Sequence, residues 1–112
     1  MKLITAIVDP DKLDNINESL KKAGVKYLLV MNAKASAVEG GFTEHYRGTT
    51  YITDYLDFLR VDIVVDNDML DSSVSAILDA TAGDRAIGRI ITSTIDQAID
   101  IGKHNTGIEG VA

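Results

Sequence analysis

The chain has 112 residues, of which 46% are hydrophobic and 25% charged, with a net charge of −6 and no cysteine. That length builds one domain with a real core, taken as residues 1–112, and the lack of cysteine excludes both a disulfide framework and a thiolate metal site. An acidic balance with scattered Lys and Arg speaks against nucleic-acid binding and polybasic membrane adsorption. No apolar run approaches a bilayer span and the N-terminus lacks a secretory pattern, so a cytoplasmic protein without membrane insertion is expected. A small anionic ligand stays open, because local donors can overcome a modest global charge within a Debye length of roughly 8 Å.

Lys2 to Val8 reads as a central strand. Asp9-Pro10 then starts a helix, with an Asx cap and a proline whose missing N–H costs nothing at that position. Leu13, Ile16, Leu20 and Ala23 share one helical face, and Gly24 supplies the residue that ends the helix. A second strand is expected from Tyr27 to Ala35. A long polar excursion, about Ser36 to Asp57, follows and reads as neither buried strand nor amphipathic helix. Phe58 to Val65 forms the third strand, with Leu59, Val61, Ile63 and Val65 on one face and Arg60, Asp62 and Val64 on the other. Asn67 or Asp68 is expected to cap a second helix whose buried stripe is Leu70, Val74, Ile77 and Thr81. A glycine-bearing turn, TAGDRAIGR, leads into a fourth strand over Gly88–Ser93, and Ile95 to Ile101 adds a possible helical turn.

Strand, helix, strand, strand, helix, strand is the order of a ferredoxin-like α+β fold, βαββαβ, with both helices on one sheet face. The other face, with Thr5, Ile7, Leu29 and Val64, needs cover, so self-association is expected. Excursions this long in a small domain are uncommon and are usually functional or disordered. This one carries Phe42, Tyr46, Arg47, Tyr51 and Tyr55, residue types that disordered filler lacks. A tolerated insertion is the plainer alternative, since loop length is thermodynamically cheap.

The segment Gly83–Ile90 has the glycine spacing of a phosphate loop, but Arg89 replaces the lysine and Ile90 the magnesium-binding hydroxyl. It leads into a strand, so nucleotide hydrolysis is not expected. A main-chain nest with Arg85 and Arg89 can still pair phosphate oxygens. A plain surface turn with two solvated arginines fits the same residues. His45 and His104 have no ligand spacing around them, and Asp66, Asp68 and Asp71 read as helix-start carboxylates, so no metal site is expected. No Ser-His-Asp or paired-carboxylate set is seen, which argues for a regulator or binding module over an enzyme.

Three stretches resemble the PII family of signal-transduction proteins: MKLITAIVDPDKLDNINESL, TEHYRGTTY and AGDRAIGRI. They match, in turn, the family's first strand and helix, its T-loop signature and a shortened B-loop, and the resemblance spans nearly the whole chain. It implies a homotrimer with nucleotide sites in the clefts between subunits. It also implies a T-loop that docks on a membrane transporter or metabolic enzyme in a ligand-dependent way. By resemblance, an adenine nucleotide (ADP, ATP or AMP) would meet an apolar rim of Ile7, Leu28, Leu29, Ile63 and Val64. Asp62 would meet the ribose or an adjacent subunit, with an exposed strand carboxylate as the plainer alternative, and Gly83, Arg85, Gly88, Arg89 and Lys103 would lie near the phosphates. Tyr46, Arg47, Gly48 and Tyr51 would form the partner-binding part of the T-loop, with Tyr51 at the position of the family's modified tyrosine.

The chain also departs from the pattern. Thr49-Thr50 replaces an Ala-Glu pair, and Ala37, Val38 and Glu39 stand where the family has a glycine, a basic residue and a glutamine. Phe58 replaces a lysine that meets 2-oxoglutarate, and Asp100 and Gly102 stand near the positions of a C-terminal arginine pair. A dicarboxylate beside Glu39 without that lysine would be repelled, so 2-oxoglutarate sensing is not expected. Whether Mg2+ accompanies the nucleotide is left open. A ligand-independent trimeric interaction module is the competing reading.

Overall fold

The computed structural model describes residues 1–36, 38, 42–46, 49–53, 55–83, 87–104 and 107, with the backbone alone for 42–46 and 49–53. Among the described residues six strands occur, β1 (Lys2–Val8), β2 (Leu29–Ser36), β3 (Phe42–Tyr46), β4 (Thr49–Thr53), β5 (Tyr55–Val65) and β6 (Gly88–Thr94). The helices are α1 (Leu13–Lys22) and α2 (Leu70–Thr81), each entered through a short 3-10 turn. The main sheet is antiparallel with the order β2-β5-β1-β6, and β3 and β4 pair as a separate hairpin. This is the expected ferredoxin-like α+β architecture. No helix among the described residues is long and apolar enough to cross a membrane.

Alternation in β1 and β5 builds the core. Register pairs Ile4 with Ile63 and Ala6 with Val61, and all four side chains are buried toward the helices. Ile16 and Leu20 of α1, and Ile77 and Ala80 of α2, close the cluster over them. Each of the isoleucine, leucine and valine side chains contributes about 1.5–3 kcal/mol when fully removed from water, and the alanines less. Asp9 caps the first helical segment as the sequence implied, its side chain accepting from Asp11 N at 3.0 Å with Pro10 next. Gly24, at φ +90°, turns the chain out of α1.

Several boundaries differ from the sequence reading. The second strand begins at Leu29 and not Tyr27, and the strand expected from Phe58 begins at Tyr55, because Ala35 and Ser36 still find partners in Leu56 and Tyr55. The excursion is therefore shorter than expected, and it contains β3 and β4. Asp66, not Asn67 or Asp68, is the cap before α2, accepting from Asn67 N at 3.0 Å. In α2 the most buried positions are Ser73, Ile77 and Ala80, while Leu70 and Val74 are only partly buried. The stripe is rotated because small residues sit where the element packs closest. Ile95–Ile101 forms no helix; Ile95 N donates to Met1 O at 3.2 Å and prolongs the sheet edge.

Candidate functional site

The sheet face away from the helices carries two informative rows. Register across the four strands sets Arg89, Ile7, Arg60 and Met31 side by side. The neighbouring row is Ile91, Thr5, Asp62 and Leu29. Asp62 is the electrostatic hub between them: its Oδ1 accepts from Thr5 Oγ1 at 2.8 Å and from Arg60 Nε at 3.2 Å. Thr5 is consequently buried and satisfied, so it does not need the cover the sequence reading assigned to it. Leu29, Met31 and Ile91 do remain exposed.

The glycine turn meets this face at one end of β1. Gly88, at φ +131°, lies so close to the strand that a Cβ there would overlap the Ile7 carbonyl oxygen. Only glycine lets β6 begin at that point, and the next residue, Arg89, is thereby set opposite Ile7. Gly83, at φ +141°, opens the turn. Arg85 lies outside the described residues. An apolar cavity of about 390 Å³ runs between the end of α2 and β6, lined by Ile77, Leu78, Thr81, Ile87, Gly88 and Arg89 among others. A second hollow of about 480 Å³ lies at the end of α1, beside Lys21, Lys26 and Tyr27, and shares only Leu28 with the expected site.

The expected apolar rim is divided by the fold. Ile7 and Val64 lie on the open face and Leu29 is exposed there, opposite Asp62. Ile63 belongs to the core, 2% exposed, with its side chain among the helices, so its side chain is no part of a rim on the open face. Leu28 packs against the same core and lines the hollow by α1. Period-2 alternation in the third strand already assigned Ile63 to the opposite face from Asp62 and Val64. Lys103 sits in a turn where its main-chain N donates to Asp100 Oδ1 at 2.8 Å. Arg60 was legible only as an outward residue; its pairing with Asp62 and its row with Arg89 require the strand register.

The excursion is organised by main-chain pairing. Tyr46 faces Thr49 and Glu44 faces Tyr51 across β3 and β4, while Arg47 and Gly48 between them lie outside the described residues. Val38 is almost fully exposed at the base, and Ala37 and Glu39 lie outside the described residues. Phe58 is buried, 5% exposed, yet stands apart from the main core cluster. Among the described residues no group of three His, Cys, Asp or Glu could hold a metal ion. His104 adopts a left-handed φ of 60°, and its N donates to Asp100 O at 2.8 Å.

A family model described as nitrogen regulatory protein P-II matches residues 1–105. The chain belongs to the P-II family. The nitrogen regulatory protein P-II of Cereibacter sphaeroides is 39% identical over 112 residues, covering 99% of this chain and 100% of that protein. That of Rhodobacter capsulatus is 37% identical with the same coverage, and that of Nostoc punctiforme is 37% identical over 95% of this chain and 97% of its own. As a P-II protein the chain is a signal-transduction regulator.

Proposed function

We propose that this P-II protein acts in the cytoplasm as a homotrimer that binds an adenine nucleotide between subunits and reports it to a partner through its T-loop. The observation that carries the reading is Gly88 seated on the Ile7 carbonyl, with Arg89 next to it and opposite Ile7. A main-chain turn fixed in this way offers N–H donors, and a guanidinium adds paired, charge-assisted bonds to phosphate. Ile7, Val64 and Leu29 supply apolar surface on the same face, and Asp62 a carboxylate for a ribose hydroxyl. Arg85 belongs to the turn in sequence, and Lys103 is the further cation this reading assigns to the phosphates. The exposed Leu29, Met31 and Ile91 favour a second and third copy as the cover of this face.

The partner is a membrane transporter or a metabolic enzyme, met through Tyr46, Arg47, Gly48 and Tyr51, with Tyr51 also the candidate site of covalent modification. A nucleotide controls that contact only through different affinity for two loop states; moving the balance from 1:99 to 99:1 takes about 5.5 kcal/mol. Phe58 is buried, and by resemblance it replaces the family's lysine that meets the dicarboxylate, so 2-oxoglutarate is not an effector in this reading.

Calorimetry with ATP, ADP and AMP, each with and without Mg2+ and 2-oxoglutarate, tests the reading. Binding of at least one adenine nucleotide, unaffected by 2-oxoglutarate, is expected. Arg89→Ala should weaken it roughly tenfold or more while the sedimentation mass stays that of the native assembly. No binding by the native chain at millimolar nucleotide overturns the sensing role and leaves a constitutive interaction module.

A further inference from the structure

Both ends of the glycine turn abut one short passage, the exit from β1 into α1. At one end Gly88 lies so near Ile7 that a Cβ on it would overlap the Ile7 carbonyl oxygen. At the other, the Lys12 ammonium lies beside Gly83: a Cβ there would sit 3.6 Å from Lys12 Nζ. The main chain that carries Lys12 is fixed, because Lys12 N donates to Asp9 O at 3.0 Å and Asp11 N to Asp9 Oδ1 at 3.0 Å, with Pro10 between. Lys12 is partly buried, and its side chain makes no hydrogen bond or ion pair with any described residue. Of the nearest carboxylates in sequence, Asp9 Oδ1 accepts from the main chain and Asp11 is exposed. Asp84, next to Gly83, lies outside the described residues.

We propose that Lys12 is a ligand-binding residue of the turn, its ammonium taking an anionic phosphate oxygen of a nucleoside di- or triphosphate. The inference rests on the nucleotide reading above and adds a cation contributed by a different element. Lysine is a compact charge with three rotatable donors, suited to a mobile phosphate tail rather than to a fixed planar pair. Gly83 itself is held at a φ that side chains avoid, so the turn carries no side chain at the point nearest the ammonium.

A cation that reads phosphate charge has a signature that a merely structural lysine lacks: its effect grows with the number of phosphates. In calorimetry, Lys12→Gln should weaken ATP about tenfold and ADP less, and leave AMP within about twofold. Lys12→Arg should recover most of the ATP affinity. The nucleotide-free melting temperature of Lys12→Gln should move little, as surface changes stay within about 0.5 kcal/mol. Unchanged ATP affinity in Lys12→Gln overturns the inference while leaving the nucleotide reading intact. So does an equal loss for all three nucleotides accompanied by a lowered melting temperature. A native chain that binds none of them overturns both. Should Lys12→Gln fail to fold, acylation of the native protein with an amine-reactive ester, read by mass spectrometry, decides the matter. ATP but not AMP should protect Lys12, and equal labelling with both overturns the proposal.

Discussion

Replacing Gly88 by alanine probes the contact on which the candidate site is built. The added methyl would overlap a main-chain oxygen, Ile7 O, which no side-chain rotation can relieve, and φ +131° is a conformation that alanine avoids. The backbone penalty is about 1–3 kcal/mol. Moving the start of β6 off Val8 also forfeits one or two ladder hydrogen bonds, at about 0.5–1.5 kcal/mol net each. Together these come to about 2–5 kcal/mol against a typical domain stability of roughly 5–15 kcal/mol, so the variant should fold with a much lower reserve. Near about 5 °C per kcal/mol, the melting temperature should fall by roughly 10–25 °C. Urea denaturation and thermal scans at matched protomer concentration read this directly, since the proposed assembly would make stability concentration-dependent. Gly102→Ala is the control: its nearest neighbour, Asp100 Oδ1, would lie at an ordinary 3.5 Å, and the change should stay within about 0.5 kcal/mol. A Gly88→Ala protein as stable as Gly102→Ala would refute the close seating of the turn on β1.

Other positions give independent tests. Ser73 is fully buried and its Oγ has no hydrogen-bond partner among the described residues, so Ser73→Ala should stabilise the fold by about 1 kcal/mol in urea denaturation, where an ordinary buried serine would lose stability. Thr5→Val and Asp62→Ala remove the two ends of a 2.8 Å hydrogen bond; each should cost about 1–3 kcal/mol, and a double-mutant cycle should give a coupling of at least 0.5 kcal/mol by order of magnitude. Asp66→Ala removes the side chain that accepts from Asn67 N and should cost about 1 kcal/mol, whereas Asp68→Ala should cost less.

The architecture was legible because β1, β5 and both helices bury alternating or helical stripes against one another, and burial is what periodicity encodes. Asp9-Pro10 and Gly24 marked the first helix for local steric reasons that need no tertiary context. The hairpin β3–β4 was missed for the opposite reason. FTEHY and TTYIT are rich in β-branched and aromatic residues, but they pair with each other outside the main sheet, so no alternation of apolar and polar residues announces them. In α2, Ser73 and Ala80 are buried through small size and close approach, which a search for large apolar residues overlooks. Ile95 and Ile99 share a helical spacing that a short sheet edge also satisfies. At the candidate site, the glycines and Arg89 were visible as a motif. Asp62 as a hub, the row of Arg60 with Arg89, and Lys12 beside Gly83 depend on register and chain path, which no local pattern specifies.

The most direct test of nucleotide sensing is a crystal structure grown with ADP. Phosphate density against the main chain of Gly83 and Gly88 and the Arg89 guanidinium, in a cleft shared by two protomers, is the predicted result. ADP bound elsewhere, or that turn left empty at saturating ADP, would contradict it.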